Sequence, residues 1–377
     1  MKIKFGNRLL LSSILGYPVL LGAIFFFDLE PFRVTAPYFF IILVFLSIKA
    51  MKQKKLMVSR QDLPNLLLTL LVILVSAANF SSVRYSFPIL FATYSFFLFL
   101  YLTTIESGFI LKNKIVRRYL VIYFVFSVMF LFVSHAYMEV GERYIGFTGS
   151  PTTFSGLLVA LFILFDTLSD QKRWIRILMF LFVFLFVALS KTRLVMIFLI
   201  GYPFLTYFIN KKALNKGGVF MVFFLTLFFV YSLYGLVVEK YPELITLRYK
   251  DARDASFGLR YRLYEIVEEN FVSGNKWEML FGKGNEYSRN LIIEEIGLDI
   301  FPHNDFIRLI NDWGIVGGGV FFVLLYRLAL KNITSLLIAL LYIVLWYSNM
   351  IFNLYLFSIL IISSFHHGNM GGARLSK

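Results

Sequence analysis

An all-helical membrane fold is predicted by three observations: the composition, the length of the uncharged apolar runs, and the alternation of cationic residues between successive loops. The chain of 377 residues is 59% hydrophobic and 16% charged, with a mean hydropathy of +0.76. An ordinary soluble domain is about 45–50% apolar and about 25% charged. Several apolar runs carry no charge over roughly 17 to 21 residues, the length a helix needs to cross about 30 Å of hydrocarbon. The predicted fold is an all-α polytopic membrane protein of about 12 transmembrane helices, with a large extracytoplasmic loop containing amphipathic helices. No internal repeat or low-complexity linker is visible, so residues 1–377 read as a single transmembrane domain.

The expected spans are 9–27, 34–50, 63–79, 86–105, 119–138, 152–168, 175–190, 192–209, 218–238, 314–330, 333–347 and 351–365. Placing the N-terminus inside puts KAMKQKK, KNKIVRR, QKRWIR and NKKALNK on the cytoplasmic side, and the inner segments together hold 22 of the 37 Lys and Arg residues. The short outer loops hold five: Arg33, Arg84, Arg143, Lys191 and Arg193. The remaining ten sit in the long outer segment 239–313, between the ninth and tenth spans. The positive-inside rule counts short loops, so this contrast sets the orientation. The uncharged run from Asn332 to Phe365 is barely long enough for two crossings, which leaves one tilted helix, a tight hairpin or a re-entrant pair open. The 45 Phe and 22 Tyr residues suit lipid-facing surfaces and interfacial belts. The N-terminal apolar run lacks a small-residue cleavage site and is expected to be a retained first span.

The net charge of +15 does not imply nucleic acid, because the cations are dispersed over alternate loops rather than gathered on one face. The absence of cysteine excludes disulfides, thiolate metal sites and cysteine nucleophiles. The segment 239–313 is far too long for a simple connector, and loops of that size work as lids or binding elements.

Two helical patterns lie in that segment. Leu259, Leu263, Ile266, Val267 and Phe271 recur at helical spacing with Glu265, Glu268 and Glu269 opposite. At 100° per residue Arg262 falls among the glutamates, whereas Arg260 falls on the apolar face and needs an anionic partner. That partner is either an internal carboxylate such as Glu243 or Asp254, or a substrate. The second pattern, Phe306, Ile307, Leu309, Ile310 and Trp313 with Arg308 and Asp312 opposite, predicts a short helix lying along the membrane interface just before a span. His303 precedes it, and Asn304 is placed to cap it. A lone histidine is more often structural than catalytic. A third feature, Lys191-Thr192-Arg193, fills a minimal outer connection, where a snorkelling anchor is the plainer explanation.

Taken together these features resemble the O-antigen polymerase (Wzy-type) and O-antigen ligase superfamily. The matching elements are SKTRL at an outer helix junction, RYRLYE followed by LFGKGNEY in the large loop, and PHNDFIRLINDWGIVGGG leading into the next span. RYIGFTGSPTTFSG, from Arg143 to Gly156, is similar to an outer loop of the family, so the resemblance covers roughly residues 140–320. Lys191 and Thr192 depart from the pattern, since many relatives carry a serine before the arginine. Arg260 and Arg262 compete for one family position, and both the spacing to Leu263 and Tyr264 and the helical face select Arg260.

The resemblance implies a metal-independent, inverting glycosyl transfer that needs no cofactor, from a lipid carrier, undecaprenyl pyrophosphate, on the outer face of the bacterial cytoplasmic membrane. It implies that Arg193 and Arg260 hold the pyrophosphate, because the guanidinium is a forked and permanently charged donor. It implies that His303 is the general base toward the acceptor hydroxyl. Arg262, Arg143, Lys191, Asn304, Gly282 and Gly284 are secondary substrate-side candidates. The implied partners are the lipid-linked oligosaccharide, membrane lipids, a chain-length regulator and a flippase. The compact chain points to polymerase before ligase. A metal-using transferase built on Asp28 and Glu30, and a transporter of the same lipid-linked sugars, are the remaining alternatives; the first lacks further oxygen ligands and the second lacks mid-span charges.

Overall fold

A computed structural model describes residues 113–133, 137–138, 143–148, 150–168, 171–211, 216–240, 256–284, 287–298, 304–330 and 332–346, together with Leu20, Leu67, Leu70 and Leu74. They are helical nearly throughout. In chain order the elements are α1 (Asn113–Phe130), β1 (Tyr137–Met138), β2 (Arg143–Tyr144), α2 (Pro151–Leu168), α3 (Arg173–Leu189), α4 (Arg193–Lys211) and α5 (Lys216–Lys240). Then come α6 (Ser256–Val272), α7 (Lys276–Phe281), α8 (Tyr287–Ile296), α9 (Asp305–Ala329) and α10 (Ile333–Trp346). The expected spans 9–27, 34–50, 63–79, 86–105 and 351–365 lie outside the described residues, apart from the four leucines, which are helical.

Helix starts and stops follow local chemistry. Pro151 opens α2, where its missing N–H costs nothing. Helix α3 stops at Ser190, and Lys191 takes a left-handed conformation (φ 53°) with its N–H on the Ala188 carbonyl. Asn275 and Glu278 form a complete capping box at the start of α7. The fifth expected span ends early: α1 stops at Phe130, and Tyr137–Met138 pairs antiparallel with Arg143–Tyr144 instead of continuing the helix. Hydropathy carries no mark of that exchange, because the strand keeps apolar side chains while the Tyr137 ring packs on Tyr144 at 5.3 Å.

Helices α2 and α10 are apolar all round and form the centre, as such helices must. Leu157 to Leu164 of α2 and Leu336 to Ile343 of α10 are buried, and α10 packs against α2, α4, α5 and α9. This central position suits the 14 residues of α10, enclosed by protein rather than left to meet a solvent boundary by themselves. The outer helices show the reverse: Trp174, Leu178 and Leu181 of α3, Ile200 and Phe204 of α4, and Phe224 and Phe228 of α5 are all exposed. Among the described residues, α9 is the helix long and apolar enough to cross a membrane by length and composition, and α1, α2, α4, α5 and α10 supply shorter apolar stretches.

Short connections make consecutive helices antiparallel. Thr334 Oγ1 donates to Thr167 Oγ1 at 2.8 Å, and Tyr202 donates to Asp166 at 2.8 Å, fixing one end of the bundle. The opposite end carries the hairpin, the Ser190–Arg193 junction and the start of α9.

Candidate functional site

Every described site candidate lies at that opposite end, in two groups. The first is the junction between α3 and α4. Its left-handed turn at Lys191 is short, so Arg193 becomes the first residue of α4 and stays exposed. The hairpin supplies a third cation: Arg143 Nη2 donates to the Lys191 carbonyl at 3.5 Å. Thr192, between the two cationic residues, is buried and its hydroxyl has no hydrogen-bond partner among the described residues. A helix N-terminus with unbonded amides and adjoining cations is an anion site by construction.

The hairpin that carries Arg143 is held from below. Tyr144 is buried among Phe154 and Phe186 at 5.0 and 5.5 Å, and its hydroxyl donates to the Ser127 carbonyl at 2.6 Å. Burial, with the nearby Tyr137, pushes its phenol above the ordinary value, so it stays a neutral donor. Tyr144→Phe should cost about 1–2 kcal/mol. A raised folded-state value means that this stabilisation is complete below the unfolded value and falls away only as alkali takes the pH above it. Thermal unfolding in detergent should show the same loss at about pH 6 and about pH 9.

The second group is the large loop. Leu263, Ile266 and Val267 of α6 are buried as the helical spacing requires, while Glu268 and Glu269 are exposed. Arg262 is exposed and pairs with Glu265 at 2.7 Å, a hydrogen bond that raises its guanidinium pKa. Arg260 occupies the register of Leu263 and Val267, three and seven residues on, at a position whose side chain lies outside the described residues. Leu263, Tyr264, Val267 and Ile292 form a small core of their own, joined by Ile307 of α9. Asn304 caps α9, accepting from the amides of Phe306 at 3.0 Å and Ile307 at 3.3 Å.

The interface-lying helix expected over 306–313 is corrected in one respect. Its polar side is not solvated: Asp305 is 1%, Arg308 4% and Asp312 1% exposed. Leu309 and Trp313 join the main core while the opposite face packs on α8, so the segment is sandwiched rather than laid on a surface. Arg308 stands 3.7 Å from Asp305 and 3.6 Å from Asp312. Asp312 also accepts from the Ser288 amide at 2.8 Å and hydroxyl at 2.6 Å, and Asn311 donates to that hydroxyl at 3.0 Å. These residues were missed as site candidates. Their signal was an acid-base-acid run at i, i+3 and i+7, one helical face, directly before a span.

Gly282 and Gly284 belong to a backbone crossing. The chain passes so close to the break in α9 that a β-carbon on Gly282 would sit 2.2 Å from the Asp312 carbonyl oxygen, and one on Gly314 2.2 Å from that of Leu280. The amides of Lys283 and Gly284 bond the carbonyls of Asn311 and Asp312 at 3.1 and 3.0 Å. Gly282 is thus a point of close backbone approach, and Gly284 holds the same crossing through its amide.

The structure brings Arg143 to the Lys191–Arg193 junction, and separately sets Gly282 and Gly284 against Asn311–Trp313 of α9, while Asn304 caps the start of that helix. His303 and the Arg260 side chain lie outside the described residues, as do Asp28 and Glu30. No family model and no curated protein sequence matches the chain.

Proposed function

We propose that this chain is a polysaccharide polymerase of the cytoplasmic membrane, crossing it about 12 times. It transfers a growing glycan from undecaprenyl pyrophosphate to a sugar hydroxyl of an incoming lipid-linked repeat unit. The observation that carries the reading is the convergence of Arg143, Lys191 and Arg193 on the N-terminus of α4, beside the Thr192 hydroxyl, which has no hydrogen-bond partner among the described residues. Such a site takes a multiply charged phosphate leaving group. The apolar exterior of α3, α4 and α5 supports a lipid surround, and the lysine and arginine asymmetry supports an outward-facing site.

In this reading the acceptor hydroxyl attacks the anomeric carbon and the bond to the pyrophosphate oxygen breaks, with inversion. The pyrophosphate leaves with the electron pair, and Arg193 with Arg260 and the α4 amides stabilises its growing charge. His303 takes the hydroxyl proton. A transporter would hold charges near mid-span. Among the described residues the buried charges Arg289, Asp305, Arg308 and Asp312 all precede the Gly314 break, which favours chemistry at one face.

The test is complementation of polysaccharide chain length in a strain lacking the protein, at matched membrane levels. Arg193→Ala, Arg260→Ala and His303→Ala should each lower polymer formation about 100-fold or more, while Arg262→Ala keeps it. Long chains from all four variants would sink the assignment. Loss of long chains with single-unit products retained means polymerase; accumulation of long lipid-linked chains means ligase.

A further inference from the structure

The loop contains one helix built the wrong way round for water. Trp277, Leu280 and Phe281 lie at i, i+3 and i+4 on α7, one apolar stripe, yet none is buried. Trp277 is 72% exposed, and its ring stacks on Phe281 at 5.8 Å, so the stripe is continuous. Meanwhile the backbone of α7 is pinned: its last turn runs into the Gly282–Gly314 crossing, where Leu280 meets Gly314. Gly314 is the residue at which α9 changes from the sandwiched polar segment to its long apolar stretch. Ile315, next in the chain, is 52% exposed and begins the apolar exterior of that stretch. The stripe therefore continues an apolar surface instead of standing alone.

We infer that α7 is a membrane-interface anchor. Its Trp277-Leu280-Phe281 stripe seats in the boundary between headgroups and acyl chains of the outer leaflet and sets the depth at which the loop helices sit over the bundle. The inference rests on the membrane reading proposed above. Tryptophan prefers that boundary because its ring is apolar and its N–H is polar, and a short amphipathic helix lies in the interface plane with its apolar face down. A sugar platform would need hydroxyl-bonding neighbours around the ring. Of the polar side chains nearby, Asn275 and Glu278 are committed to the capping box, and Lys283 to Asn270 at 2.7 and 2.9 Å. The neighbouring helices α6 and α8 present carboxylates suited to water, with Glu268, Glu269, Glu294 and Glu295 all exposed.

The chain has no cysteine, so single-cysteine variants of the full-length protein can be spin-labelled without background. The probes are Leu280→Cys on the stripe, Ile315→Cys on α9, and Glu268→Cys and Glu294→Cys on α6 and α8, each in phosphatidylglycerol-containing nanodiscs. Collision with oxygen should exceed collision with a water-soluble nickel chelate severalfold at positions 280 and 315, and the ratio should reverse at 268 and 294. If position 315 reads lipid while 280 reads water, the anchor is wrong and the membrane span survives. If both read water, the membrane reading of α9 fails and the anchor fails with it. A water-exposed label at 280 that is immobilised by added repeat-unit oligosaccharide would replace the anchor with a glycan platform.

Discussion

Gly314→Ala and Gly282→Ala are each expected to detach the large loop from the bundle at a cost of about 3 kcal/mol or more. Two penalties combine at each position. Gly314 has φ 71° and ψ 179° and Gly282 has φ 79° and ψ 172°, a region that side chains other than hydrogen do not occupy without strain. A new β-carbon would also overlap backbone at 2.2 Å, and backbone on an opposing segment cannot swing aside as a side chain can. Gly297 has φ 70° and no described atom within 4 Å of such a β-carbon, so Gly297→Ala should show the cost of a positive φ without the overlap. Gly319, in α9 with nothing within 4 Å, should tolerate alanine almost without cost. Unfolding in detergent followed by tryptophan emission, with limited proteolysis across 273–300, reads both the stability and the detachment. Because one crossing serves both glycines, the double variant should cost clearly less than the sum of the singles. Full additivity would mean that the two positions do not share a contact.

The bundle was legible because lipid-type patterning is coarse. Uncharged runs and basic loops locate α2, α3, α4, α5, α10 and the part of α9 beyond Gly314 to within a few residues, and helical spacing locates the buried face of α6 through Leu263, Ile266 and Val267. The Asn304 cap was legible for the same reason, being a local interaction over two or three residues. What stayed hidden depends on partners distant in sequence. Nothing near Asp312 announces that Ser288, 24 residues earlier, will donate to it twice. A charged helical face reads as solvated unless another element is known to cover it, so the burial of Arg308 and Asp312 reversed the expectation. The β1–β2 pairing stayed hidden for a related reason: Tyr137 and Tyr144 look like the end of a span and part of a loop until their rings meet edge to face. The α7 capping box, Asn275 with Glu278, was local and readable, and it marks a helix the hydropathy pattern passes over.

Arg308→Ala is expected to destabilise the loop end of α9 by about 3–5 kcal/mol, because it leaves Asp305 and Asp312 buried with their shared cation removed. Asp312→Ala should be as severe by a different route. Asp312 accepts the Ser288 amide in the first turn of α8, so its loss takes the acceptor from that buried donor and one of the two flanking carboxylates from Arg308. The informative variant is the combination Arg308→Met with Asp305→Leu and Asp312→Leu, which removes all three of these buried charges together. Apolar groups of similar volume repay the desolvation that the ions require, so much of the stability of the parent should return even though each single change is costly. Thermal unfolding of the singles and the triple then isolates the coupling, expected at about 1–3 kcal/mol. Polymer formation decides what the network is for. Recovery of stability without recovery of long chains would mean that the buried acid-base-acid face positions the start of α9, where Asn304 caps the helix and His303 immediately precedes it. Recovery of both would mean that these charges only hold the fold together, and that the chemistry belongs to the junction at Arg193.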